Sequence, residues 1–256
     1  MNGMNVKTLC LPLLALHLAS PSSLAQVGES IPFRVQVTMG WNSFVFDGVE
    51  TDMKAIRNAS SYSQLPIPPG HFGRDYDYSL SILTPLNDNI SIGIAIQYFR
   101  TSGYFQNTSS TSIGMSIIDE LEYRFSRVSP KIVAKYSHEI QSARFVSLSL
   151  RLEAGPTFGD LRKDLNNSSL GTSPPFGNTG YHLRAEYKPI NPEYSASLSV
   201  SVAVLNNLRL VVFTGYAIST SKNVEGTCEP FSTNVPFDIN LKYQGVHYGG
   251  GVEIGL

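Results

Sequence analysis

Tyr243-Gln-Gly-Val-His-Tyr-Gly-Gly-Gly-Val-Glu-Ile-Gly-Leu256 decides the fold. Tyr248, Val252, Ile254 and Leu256 fall on one parity of an extended chain. His247, Gly249, Gly251, Glu253 and Gly255 fall on the other. Side chains of a strand alternate between its two faces, so this run has one apolar face and one small or polar face. The same alternation recurs about eight times between Ile31 and Leu256, and period two dominates there.

Upstream, Ile31, Phe33, Val35, Val37, Met39 and Trp41 alternate with Pro32, Arg34, Gln36, Thr38 and Gly40. Tyr76, Tyr78, Leu80 and Ile82 oppose Asp75, Asp77, Ser79 and Ser81. Ile90, Ile92, Ile94, Ile96 and Tyr98 oppose Ser91, Gly93, Ala95 and Gln97. A fifth run sets Val146, Leu148, Leu150, Leu152 and Ala154 against Phe145, Ser147, Ser149, Arg151 and Glu153. A sixth sets Ala196, Leu198, Val200, Val202 and Val204 against a serine face, Ser195 to Ser201. A seventh carries Leu208, Leu210, Val212 and Tyr216.

Two runs change parity. In the fourth, Leu121, Tyr123 and Phe125 share one parity and Ile132, Ala134 and Tyr136 the other. A bulge near Ser129-Pro130 accounts for this, since it adds a residue and flips the alternation. A turn there is the rival, giving ten strands instead of eight. The last run, from about Phe237, switches near Gln244-Gly245, where glycine marks a second expected bulge.

The links alternate as strictly as the strands. Tight turns are expected at Pro85–Asp88, Glu139–Ser142 and Asn206-Asn207. Long polar links are expected at about 47–73, 101–114, 159–180 and 221–236. Short turns at one end and long loops at the other define an up-and-down barrel.

The apolar parity is a continuous band of Ile, Leu, Val and Tyr about 9–11 residues long per strand, enough for a tilted strand to span a bilayer. In lipid, backbone groups are satisfied only by closure and the outer face is apolar. Trp41, Phe44, Phe46, Tyr76, Tyr78, Tyr98, Tyr104, Phe105, Tyr136 and Tyr216 lie near strand ends, as interfacial girdles do. A soluble lipocalin-like barrel shares the alternation and is the rival reading; the continuous band, the strand lengths and the placing of the aromatics favour the membrane barrel over it.

The first residues read as a secretory signal peptide, 1–25: Lys7, an apolar core from Leu9 to Ala19, and a Ser23-Leu24-Ala25 cleavage site. The domain expected after it is a single barrel, 26–256. Of the 2 cysteines only Cys228 would remain, so no intrachain disulfide is expected. A formal net charge of −1 gives no basic footprint for nucleic acid.

On these features the chain resembles the small outer-membrane β-barrel proteins of diderm bacteria, the OmpA-/OmpX-like, porin-family barrels. The leader, the eight alternating segments, Arg151-Leu-Glu-Ala-Gly-Pro156 and the terminal strand carry the resemblance. It implies a closed antiparallel transmembrane barrel in the cell outer membrane, a monomer in contact with lipid and lipopolysaccharide. It also implies assembly by the barrel-assembly machinery reading the C-terminal strand. Two features depart from the pattern. The last residue is Leu256 where that signal usually ends in an aromatic, and no peptidoglycan-binding domain follows the barrel.

An eight-stranded barrel is filled by its own side chains. The charges read as inward are Arg34, Glu120, Glu122, Arg124, Lys131, Lys135, Arg151, Glu153, Asp238, Lys242 and Glu253. Mixed signs in nearly equal number suit an internal ion-pair network, because buried charges persist only when paired. A pore or ligand pocket is the alternative. No catalytic, cofactor or metal site is expected. The His-x-Ser pair of lipid A deacylase barrels has no counterpart at His71, His138, His182 or His247. Asp75-Tyr-Asp77 would supply the acids of an omptin-type protease, but no Asp-x-His couple accompanies it. The expected role is a non-enzymatic anchor presenting four loops for adhesion, binding or envelope integrity. A small-solute channel and a lipid-modifying barrel are the alternatives.

Overall fold

The computed structural model describes residues 33–59, 72–110, 115–140, 143–171, 179–220, 223–224, 226–229 and 239–256. The expected signal peptide and Asp238 lie outside them. The strands are β1 (Arg34–Phe46), β2 (Arg74–Pro85), β3 (Ile90–Ser110), β4 (Met115–Ile140), β5 (Ala143–Gly171), β6 (Thr179–Tyr187), β7 (Ile190–Leu205), β8 (Leu208–Ser219), β9 (Asn223–Val224), β10 (Gly226–Glu229), β11 (Ile239–Asn240) and β12 (Tyr243–Gly255). One helix, α1 (Asp47–Ala59), follows β1.

All pairings are antiparallel, and β1 pairs with both β2 and β12, which closes the sheet. β6 and β7 share one register on β5, from Ser169↔Thr179 through Leu161↔Tyr187 and Phe158↔Ile190 to Val146↔Val202. They form a single stave, interrupted where Pro189 has no N–H to give. The Pro189 carbonyl still accepts from Gly159 N–H at 2.9 Å. The barrel therefore has eight staves, with β4 as one of them.

The turns at Pro85–Asp88 and Asn206-Asn207 fall where expected; at the third, Ile140 pairs with Ala143, and residues 141 and 142 lie outside the described ones. Asn87 Oδ1 accepts the N–H groups of Asn89 and Ile90 at 2.9 and 2.8 Å, an Asx turn that fixes the β2–β3 register. Register shifts accompany the other two turns, between Glu139 and Ile140 and between Ala203 and Leu205.

Neither expected bulge exists. β4 pairs with β3 in one register from Ile90↔Tyr136 to Ser110↔Ser116. β12 pairs with β1 unbroken from Arg34↔Gly255 to Phe46↔Tyr243. What changes along each strand is which face is apolar. In the lower part, Ile94, Ile132, Leu198 and Val212 point outward and are 62, 73, 63 and 66% exposed. In the upper part, Phe44, Phe46, Phe99, Leu121, Tyr123, Phe125, Leu161, Tyr187 and Tyr243 point inward and are buried. The apolar parity therefore inverts between the lower and upper barrel with no change of register, the pattern expected of strands that pass from an apolar surround into water.

The same inversion corrects the loops. Thr101–Ser110 and Gly159–Gly171, expected as links, are continuations of β3 and β5. Part of the link after β1 is α1, and Cys228, expected in a loop, lies in β10 opposite Ala185 of β6. Phe44 and Phe46 are core residues rather than girdle. Trp41 and Tyr76 do face outward, as an edge-to-face pair with ring centroids 4.9 Å apart.

Candidate functional site: a lumen sealed at two levels

Apart from Leu83, Val133, Val211 and Phe213, the inward positions of the lower barrel are mostly small or polar, and the charged ones find their partners across the lumen. Near the turn end, Glu253 of β12 is ion-paired with Lys135 of β4 and lies 3.5 Å from Arg34 of β1. Arg209 bridges Ser147 at 3.0 Å and Glu139 at 2.9 Å. One level up, Arg151 pairs with Glu153 and donates to Gln36 and Ser81 at 3.0 and 3.2 Å. Lys131 then reaches Gln97 at 2.6 Å, Glu153 at 3.2 Å and Glu193 at 2.7 Å, and Gln97 donates to Asp77.

Glu193, from the start of β7, is the hub. Its carboxylate is wholly buried and accepts from Lys131, Arg127, the Tyr243 hydroxyl, Thr157 at 2.8 Å and Ser129 at 3.3 Å. Arg127 is equally buried. Its guanidinium lies over the rings of Tyr243, Phe44 and Phe99, at 4.8, 5.1 and 5.4 Å from their centroids. The Nε and Nη2 of Arg127 have no hydrogen-bond partner among the described residues. Three ring faces around the cation offset part of that desolvation. With two cations and three hydroxyls on one carboxylate, each charge keeps a partner in a place where an unpaired one would cost several kcal/mol, on the order of the penalty per buried ion.

Above this hub the lumen is aromatic. Phe46 contacts Phe72, Phe125 and Tyr243 at centroid distances of 5.0, 5.0 and 5.3 Å. The helix α1 closes the cluster from above. Asp47 and Glu50 in its first turn suit the positive end of the helix dipole. Val49 and Met53, one turn apart, are 1 and 0% exposed against the rings. Asp52 beside them accepts from Tyr123 and from Lys163 of β5, the latter at 2.6 Å. Gly73, with φ at 85°, brings the chain back into β2, where its carbonyl accepts from Phe44 N–H at 2.8 Å.

The cavity between the two ion-pair levels is about 30 Å³, lined by Gln36, Thr38, Asp77, Arg151, Glu153 and His247 among others. That is room for about one water. His247 Nδ1 has no protein partner among the described residues, which suits such a water. The chamber is too small for a solute, and the acids it holds are enclosed.

The inward charges expected from sequence divide into two groups. Lys131, Lys135, Arg151, Glu153 and Glu253 are brought together inside, with Arg34 at their rim. Glu120, Glu122 and Arg124 are on the outer face of upper β4, because the bulge that would have turned them inward is absent. Arg124 there grips Glu122 with two hydrogen bonds of 2.6 Å. Lys242 precedes β12 at the upper rim, 3.8 Å from Asp47. Arg127 and Glu193 were missed. Arg127 sat on the side of the supposed bulge that faces out, and Glu193 precedes the clear alternation of the sixth run. Pro192 beside it was the only local signal, and it speaks for a strand edge rather than a hub.

No family model and no curated protein matches the chain. Solved structures similar to it include Neisserial surface protein A, at 14% identity over 87% of this chain and 96% of that one, with a TM-score of 0.39. The outer membrane protein OprG from Pseudomonas aeruginosa is similar at 8% identity over 89 and 97%, with a TM-score of 0.44. Ail, the attachment invasion locus protein of Yersinia pestis, is similar at 11% identity over 89 and 100%, with a TM-score of 0.38. The fold of the chain is a closed, eight-stranded, all-antiparallel β-barrel.

Proposed function

We propose that the chain is a non-enzymatic anchor in the outer membrane of a diderm bacterium. Its spanning part holds a rigid, water-exposed upper barrel for adhesion, binding or envelope integrity. The observation that carries this is the double closure of the lumen, by the Glu193 hub and by the aromatic cluster under α1. A protein selected to pass solutes has no use for either seal. The long polar-faced walls of β3, β4 and β5 give a partner a surface that stands clear of the lipid. Export on a leader comprising residues 1–25, assembly through the last strand and a monomeric state belong to the same reading.

Two experiments test it. Outer-membrane fractions prepared with the native leader are run unboiled and boiled on a detergent gel. Faster migration of the unboiled form, in that fraction, is expected. A soluble periplasmic protein with no mobility shift overturns the membrane assignment. The purified protein in planar bilayers is then expected to pass no current, and large stable steps would restore the channel reading.

A further inference from the structure

We infer that the outer wall of the barrel, just above the apolar belt, holds a binding site for the phosphate of an outer-leaflet glycolipid. This rests on the outer-membrane reading above. The site is a pocket of about 220 Å³ on the outer face of β3, β4 and β5. Three guanidiniums line it, Arg100, Arg124 and Arg162, with a single carboxylate, Asp160.

The register makes the arrangement unusual. Arg124 of β4 and Arg162 of β5 are directly opposed, and both point outward. Like charges placed directly across a sheet destabilise it unless something bridges them. The carboxylates nearby do this poorly. Glu122 holds Arg124 from one flank, and Asp160 and Glu186 lie 3.4 and 3.5 Å from Arg162. The two contacts of Arg162 are exposed pairs, of the kind worth at most about 1 kcal/mol, and the two-pronged grip of Glu122 is on Arg124 alone. Arg100 has no hydrogen-bond or ion-pair partner among the described residues. A tetrahedral dianion seated among the three would bridge the opposed pair, and guanidinium is the side chain best shaped to grip phosphate oxygens.

Position selects a lipid phosphate over a free one. Tyr98 forms part of the pocket, and Val128 and Phe158 lie directly below it on β4 and β5, outward and 43 and 49% exposed. A phosphate at the arginines therefore places its acyl chains along that apolar wall, and the site and the belt are occupied by one molecule.

The test uses the full barrel in phosphatidylcholine nanodiscs. It is titrated with lipid A bearing its phosphates, with the same lipid after dephosphorylation, and with inorganic phosphate. Phosphorylated lipid A is expected to bind at least tenfold more tightly than the dephosphorylated form. The combined Arg100→Gln, Arg124→Gln and Arg162→Gln variant should lose that preference while keeping its mobility shift on unboiled gels. If the triple variant does not fold, Arg100→Gln alone should lower the preference severalfold. Equal binding of the two lipids overturns the inference, as does a preference that survives the arginine variants. So does inorganic phosphate binding as tightly as the lipid. Failure of the outer-membrane reading is distinguishable, since it appears as a missing mobility shift in the unaltered protein.

Discussion

At the scale of residues, Glu193 and Arg127 are where the fold has most at stake. Removing one partner of a buried pair leaves the other charge desolvated, at a cost of about 3–5 kcal/mol. Glu193→Gln strands two cations, Arg127 and Lys131, and should lower the urea midpoint of the folded barrel in detergent by that order. Lys131 keeps Gln97 and Glu153, so Arg127 bears most of the loss. Adding Arg127→Met to Glu193→Gln should therefore recover part of it. A double variant less stable than Glu193→Gln would show that the ring contacts of Arg127, not its charge, dominate. Exposed pairs above the membrane behave differently. Arg162→Gln removes contacts of 3.4 and 3.5 Å and should change stability by no more than about 1 kcal/mol.

Among the elements, the seam between β1 and β12 and the docking of α1 each rest on particular side chains. A Cβ at Gly249 would be driven into the Met39 carbonyl, so these strands approach as closely as they do because Gly249 has none. Gly249→Ala should reduce the heat-modifiable fraction on unboiled gels. Gly250→Ala, whose Cβ would meet only Val211 O at 3.3 Å, should leave it near the unaltered level. Helix α1 hangs on Val49, Met53 and the Asp52–Lys163 pair. Met53→Ala removes a fully buried side chain, worth at least about 2 kcal/mol, or roughly thirtyfold faster amide exchange across 47–59. Exchange in β12 should not change. Uniform acceleration would mean that α1 and the barrel unfold as one unit.

Over the whole molecule, the alternation made the barrel legible and the same alternation hid its upper part. Ile90 to Tyr98 and Val146 to Ala154 show their outward faces plainly, because on the proposed membrane reading lipid demands apolar side chains there. Above the lipid the demand reverses, and Leu121, Tyr123 and Phe125 face inward for the reason they would in a soluble barrel. A reader counting parity sees one residue gained and supplies a bulge. The Glu193 hub was out of reach for a related reason, since its five partners come from β4, β5 and β12 and only closure of the barrel brings them together. No local pattern marks a residue whose partners are all distant in sequence.

That two-part construction makes a prediction about conduction. The two seals stand in series, so opening either alone should leave the barrel closed to ions. Met53→Ala releases α1, yet Phe99, Phe125, Tyr123 and Tyr187 still fill the upper lumen from the walls, with the hub below them. Glu193→Gln loosens the hub but leaves the aromatic cluster and its helix in place. Neither variant, reconstituted singly in planar bilayers at high salt, should show single-channel steps, and neither should the unaltered protein. Salt sharpens the comparison, because the exposed pairs of the upper wall are screened by it while the buried hub is not. Steps in Met53→Ala alone would make α1 the sole gate over an otherwise open lumen. The protein would then be a regulated pore, and the surface reading would give way to it.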